Sequence, residues 1–130
     1  MVYLADSSMD AALAVIATCT RLDVCSGEPT QYSSGGSTGV LDLTLANVAL
    51  TAGGGNGDWA IANGDTSGRK ITCAQQDDLS ITASGSATRI AHSVSGSTTL
   101  IWTSTCTSQA LTSGGTVTVP AHKHEIADAA

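Results

Sequence analysis

Residues 69–92 read RKITCAQQDDLSITASGSATRIAH, and the fold class turns on this stretch. It contains three short β-prone runs, 69–74, 79–83 and 87–92. Leu79-Ser80-Ile81-Thr82-Ala83 alternates apolar and polar residues, the period of a half-buried strand. Gln76-Asp77-Asp78 separates the first run from the second. No amphipathic segment long enough for a crossover helix lies between them, so parallel pairing is excluded and the strands must pair antiparallel.

The same grammar extends in both directions. Leu22-Asp23-Val24-Cys25 alternates and stops at Gly27-Glu28-Pro29. Residues 40–45 read as a strand with Leu41, Leu43 and Leu45 on one face and Asp42 and Thr44 on the other. Trp59-Ala60-Ile61, 98–106 and 116–119 complete about eight strands. Between them stand Ser33-Ser34-Gly35-Gly36, Gly53-Gly54-Gly55-Asn56-Gly57, Asn63-Gly64-Asp65, Ser95-Gly96-Ser97 and Ser113-Gly114-Gly115. Turn signals about 8–12 residues apart mark an antiparallel β-sandwich or barrel, and a sandwich is the expectation here.

One segment departs from this grammar. From Asp6 or Ser7, either a good N-cap, Met9, Ala12, Leu13, Ile16 and Thr20 recur at spacings of three and four. The expectation is an N-terminal helix over 6–20 ending near Cys19. Its stripe is Met9, Leu13 and Ile16, with Asp10 and Ala14 facing outward. A single domain over 1–130 follows: helix 6–20, sandwich 21–120, C-terminal segment 121–130.

Composition narrows the function. Only 12% of the 130 residues are charged, 42% are hydrophobic, Phe is absent, and 16 Ser and 18 Thr stand beside 14 Gly. Low charge with adequate apolar content argues against disorder. A formal net charge of −6 with five basic residues argues against nucleic-acid binding. No apolar run approaches the roughly 20 residues that span a bilayer. The start, Met1-Val2-Tyr3-Leu4-Ala5-Asp6, lacks a basic region, and Asp6 and Asp10 interrupt any apolar stretch, so the expectation is a chain made without a secretory signal and kept in a cytoplasm or released from one by a route other than secretion. The core must rely on Leu, Ile, Val and Ala, with Trp59 and Trp102 as the large fillers. A core so thin leaves stability to cross-links or to oligomer contacts. Thr103-Ser104-Thr105 is β-prone and uncharged, the kind of edge that is more comfortable beneath a neighbouring subunit.

The four cysteines, Cys19, Cys25, Cys73 and Cys106, show no Cys-x-x-Cys spacing. They are candidates either for small buried apolar residues or for disulfides within or between subunits, and the pairing is open. Reactive chemistry is sparse. Gly35-Gly36-Ser37-Thr38-Gly39 spells Gly-x-Ser-x-Gly but lacks the strand-turn-helix setting of a nucleophile elbow. His92 reads as a partly exposed strand residue. His122 and His124 would point to one side of an extended chain beside Glu125, and could hold a metal if a neighbour gave a third ligand. Asn56-Gly57-Asp58 and Asn63-Gly64-Asp65 read as turns rather than calcium loops. Asp77 and Asp78, adjacent on a strand, point to opposite faces and make no acid/base pair. No catalytic residue, metal site or cofactor is expected, and no enzyme.

Longer phrases of the chain are familiar. Leu4-Ala5-Asp6-Ser7 leads into the helix, followed by Arg21-Leu22-Asp23-Val24-Cys25-Ser26-Gly27-Glu28-Pro29-Thr30-Gln31-Tyr32. Then come Gly64-Asp65-Thr66-Ser67-Gly68-Arg69-Lys70-Ile71-Thr72, Ala83-Ser84-Gly85-Ser86-Ala87-Thr88, and the closing Thr105-Cys106-Thr107-Ser108-Gln109-Ala110-Leu111-Thr112-Ser113-Gly114-Gly115-Thr116-Val117. This order resembles a family of small structural proteins of tailed bacteriophages, encoded among head and tail genes. The resemblance implies a virion component that decorates the capsid or forms part of a neck, collar or tail. Its partners would be copies of itself and other virion proteins, with no nucleic acid and no membrane. Thiols reduced during assembly could then oxidise between subunits outside the cell. The alternatives are a β-sandwich module for a host-surface glycan, using Tyr3, Tyr32, Trp59 and Trp102, and, last, a metal-assisted hydrolase resting on His122 and His124.

Overall fold

The computed structural model describes residues 5–32, 38–55, 57–94 and 100–127. In chain order its elements are α1 (Asp6–Ile16), β1 (Arg21–Cys25), α2 (Val40–Leu43), β2 (Thr44–Ala49), β3 (Trp59–Asn63), β4 (Arg69–Cys73), β5 (Gln76–Ser80), β6 (Gly85–Ser93), β7 (Leu100–Leu111), β8 (Thr116–Val119) and β9 (His122–Ile126). The fold class is the expected one: mainly β and sandwich-like, with three antiparallel sheets and an N-terminal helix. The described residues group into two compact units, which cut across the linear division 6–20, 21–120, 121–130.

The first unit draws on Met1–Thr18, Thr51–Gln75 and Pro120–Ala130. Its sheet has the order β3-β4-β9, and α1 packs on β4 and β3. Met9 and Leu13 are fully buried on the inner side of α1, with Trp59, Ile71 and Cys73 buried in the sheet. Asp10 does not face free into solvent. Its carboxylate accepts from Arg69 Nε at 2.7 Å and Nη2 at 3.2 Å, tying helix to sheet. The helix is shorter than its periodicity suggests. It starts from Ala5 as N-cap and ends at Ile16, because the Thr18 hydroxyl and amide both turn back onto the Val15 carbonyl. Asn63-Gly64-Asp65 is a turn, closed by the Gly64 N–H on the Gly68 carbonyl at 2.9 Å. Gly68 has φ +69°, and any Cβ there would collide with the Ile126 carbonyl of β9, so only glycine fits.

The largest correction is at the C-terminus. The sequence assigns no strand to the C-terminal segment 121–130, yet His122–Ile126 is strand β9, pairing with all five residues of β4. A partner some fifty residues away supplies the ladder that a charged stretch cannot announce by itself.

The second unit draws on Cys19–Leu50 and Gln76–Val119. It contains the sheet β2-β1-β6-β7 and the two-stranded β5-β8 ribbon. Here the predicted strand over 40–45 is corrected. Val40–Leu43 forms one helical turn, α2, and β2 starts only at Thr44. Gly39 is extended, and its N–H donates to Asp42 Oδ2 at 3.2 Å, which sets the turn. Val40 is then buried with Cys25, Tyr32 and Ala91, while Leu41 remains 40% exposed. On β1, Asp23 is fully buried. Its carboxylate accepts Arg21 Nε at 2.9 Å and Nη2 at 2.8 Å, and the Thr44 hydroxyl at 2.9 Å. Asp78 has φ +54°, at the register shift where β5 bulges against β8, so Asp77 and Asp78 lie in an irregular step rather than on regular strand faces.

Candidate functional site

Sheet edges differ sharply in how they are protected. The outer side of β2 is covered: Ala46 bridges Ile81, and the Thr82 and Ala83 amides donate to the Leu45 carbonyl. Edge strand β9 carries Lys123 and Glu125. Strand β7 has neither device. It is 12 residues long, LIWTSTCTSQAL, without a charge or a proline, and no strand pairs with its outer side among the described residues. Its defences are two register shifts against β6, one between Ala87 and Arg89 and one between His92 and Ser93. The first leaves Cys106, Thr107 and Ser108 unmatched. Between the shifts, Trp102–Thr105 pairs in regular register with β6, and no strand lies on the other side of β7 among the described residues.

All four cysteines are free thiols. Cys19 and Cys25 are buried, and burial pushes each thiol up to about 12. Cys73, in β4, is also fully buried. Cys106 is half-buried on β7. Desolvation raises its pKa, while the Arg89 guanidinium pulls it down. Strand β6 stands between Cys25 and Cys106. Two strand spacings put their backbones about 9–10 Å apart, beyond the roughly 4.4–6.8 Å Cα separation of a disulfide. Cys19 and Cys25 are likewise not bonded to each other. Of the four candidates, Cys106 is the one with access to a neighbouring molecule. A disulfide-exchange reagent near pH 8 should therefore titrate one thiol per native chain and all four after unfolding, with the native label at Cys106 by peptide mapping. Two or more fast native thiols would contradict this burial pattern.

The histidines are placed less simply than expected. His92, read as partly exposed, is fully buried and stacks on Trp102, with ring centroids 4.9 Å apart and planes at 17°. His122 and His124 share one face of β9, as expected. Glu125 lies on the other face, accepting the Asp65 N–H at 2.6 Å and pairing with Lys123. Opposite His122 in the ladder is Cys73, a donor that the sequence reading did not connect with the histidines. The His122 ring donates from Nδ1 to the Pro120 carbonyl at 3.0 Å. Burial lowers its pKa below the ordinary 6.5, with the carbonyl bond opposing. The sign follows: as pH falls through 6.5 the unfolded chain takes up a proton that the folded chain resists, so stability drops. Urea midpoints in the presence of chelator should fall between about pH 7.5 and about pH 5.5, and His122→Gln should flatten that slope.

The remaining motifs make no reactive constellation among the described residues. Asp58 accepts the Thr51 N–H at 2.6 Å and Asp65 pairs with Lys70 and Lys123, so both carboxylates serve turns. Asn56 and Ser33 to Ser37, with most of the Gly-x-Ser-x-Gly match, lie outside the described residues, as do Tyr3, 95–97 and the start of the 98–106 run. Of the aromatics proposed for a glycan, Trp59 is fully buried, Tyr32 is 8% exposed and Trp102 is half-covered by its stack on His92. Trp59 and Tyr32 present no open ring face. No helix among the described residues is long and apolar enough to cross a membrane. Comparison of the chain with protein-family models, with curated proteins and with solved structures returned no match.

Proposed function

We propose that this chain is a structural protein of a tailed-phage particle, decorating the capsid or forming part of the neck, collar or tail, and that it works by associating with copies of itself and with other virion proteins. The observation that carries the reading is the β7 edge, 12 residues of uncharged strand with no partner strand among the described residues. A free protein that leaves such an edge open invites pairing, and a protein built to assemble uses it. The family resemblance over Cys25–Tyr32 and Ser67–Thr72 supplies the setting. Cys106, beside the regularly paired part of that edge, is the thiol proposed to lock neighbouring subunits. Two such thiols would lose two protons and two electrons to dissolved dioxygen and form one disulfide after release from the cell.

The test is particle content. Particles purified after lysis of a cell carrying the gene should contain this chain in many copies, by quantitative mass spectrometry, and retain it through density-gradient banding. Recovery of the chain in the soluble lysate, with none in banded particles, would overturn the proposal.

A further inference from the structure

The chain has five basic residues, Arg21, Arg69, Lys70, Arg89 and Lys123, and all five fall within strands. No Lys or Arg stands in a turn, in a connection or at either end of the sequence. Strand holds 53% of the chain and lysine is depleted from strands in general, so this placement is not the default. It bears on one class of enzyme. Trypsin-like proteases read a basic side chain in an acidic S1 pocket. They nick folded proteins at exposed loop tips, where the chain enters the cleft without loss of structure. Here every such bond lies inside a ladder.

The ladders are not equal. Strand β1 lies between β2 and β6, β4 between β3 and β9, and β6 between β1 and β7. Arg21, Arg69, Lys70 and Arg89 are therefore paired on both sides. Drawing any of them into a protease requires two ladders to open, which is loss of the sheet. Lys123 differs. It sits in β9, whose one partner strand among the described residues is β4. Its side chain is 42% exposed, against 21% for Arg21, 18% for Arg69 and 23% for Lys70. Its ion pairs with Asp65 and Glu125 lie at the surface and hold the strand weakly. The lysine that blunts this edge against another sheet is also the basic side chain a protease reaches most easily.

We infer that Lys123–His124 is the single bond through which a trypsin-class endoprotease enters the folded chain, after β9 peels from β4. The cut consumes one water: the bond between the Lys123 carbonyl carbon and the His124 nitrogen breaks, leaving a carboxyl group on Lys123 and an amino group on His124. Residues 124–130 then leave. Arg69, Lys70 and Ile71 lose their partners Ile126, Glu125 and His124, and the Asp65 N–H loses its Glu125 acceptor. With β4 opened on that side, the bonds after Arg69 and Lys70 become the second cuts. The inference rests on strand order alone, so it stands apart from the assembly reading and survives its failure.

Time-resolved intact-mass spectrometry of the full chain with trypsin, in native buffer, tests it. The first product should be residues 1–123. Cuts after Arg69 or Lys70 should arise from that product, and those after Arg21 and Arg89 only in urea. Lys123→Gln should lengthen the life of the intact chain roughly tenfold or more, because the remaining bonds wait for rarer openings. Thr30→Arg, exposed in the connection between β1 and α2, should create a fast cut after residue 30. A first product cut after Arg21, Arg69, Lys70 or Arg89 overturns the inference. So does a wild-type chain left intact by trypsin that consumes Thr30→Arg. A Thr30→Arg chain as resistant as wild type overturns it too, since overall rigidity and not strand placement would then withhold the bonds.

Discussion

Asp23→Ala is expected to destabilise the second unit by about 3–5 kcal/mol, the usual loss when one member of a buried ion pair is removed. The carboxylate is fully buried and accepts from Arg21 Nε, which reaches both oxygens, from Arg21 Nη2 and from the Thr44 hydroxyl. Removing it strands the Arg21 guanidinium, while the Thr44 hydroxyl keeps the Ala46 carbonyl as acceptor at 3.2 Å. The loss should sit toward the lower end, because the Arg21 side chain keeps 21% of its surface in contact with solvent and can recover some hydration. Arg21→Met combined with Asp23→Leu should restore most of the stability, since replacing both charges by apolar groups of similar size avoids the orphan. Urea midpoints at constant slope measure both variants. A loss below about 1 kcal/mol for Asp23→Ala would mean that the pair contributes no more than a surface salt bridge.

Thr105→Lys together with Thr107→Lys should weaken self-association by about 2–3 kcal/mol, roughly a hundredfold. Both threonines are exposed on β7, so the folded chain has room for the longer side chains. An interface formed by two such edges would gather four ammonium groups. Like charges directly opposite in a ladder repel, and they lose hydration as the strands close. Lysine on an edge is also the device by which natural sheets refuse partners, and β7 lacks it. Thr118→Lys, on exposed β8, serves as control and should leave association unchanged. Sedimentation velocity over a concentration series reads the dissociation constants, and equal values for the edge variant and the control would remove β7 from the interface.

What the sequence made legible was local. The strands around Arg69–Cys73 and Thr116–Val119 announce themselves by alternation and by flanking turns, and α1 by its three- and four-residue recurrence. Its early end does not, because Thr18 acts through a hydrogen bond and not through hydrophobicity. At 40–45 the alternation of Leu41, Leu43 and Leu45 imitates a strand, but Gly39 and Asp42 close a helical turn first. Partners distant in sequence leave no local trace. Thus β9 reads as polar coil until β4 is beside it, and His92 among Ala and Ser shows no sign of burial against Trp102. The histidine pair follows the same pattern: the sequence puts His122 and His124 on one face, but only the ladder register sets Cys73 opposite His122. Cysteine access was likewise invisible, since all four have small, polar or apolar neighbours alike.

The account depends most on self-association, and the solution mass tests it directly. Size exclusion with light scattering, run with and without reductant, should give a discrete multimer of the 13.0 kDa chain in both buffers. Under denaturant a covalent dimer should persist only in the unreduced sample, through Cys106. A clean 13.0 kDa monomer in both buffers across the concentration range would contradict an edge built for assembly.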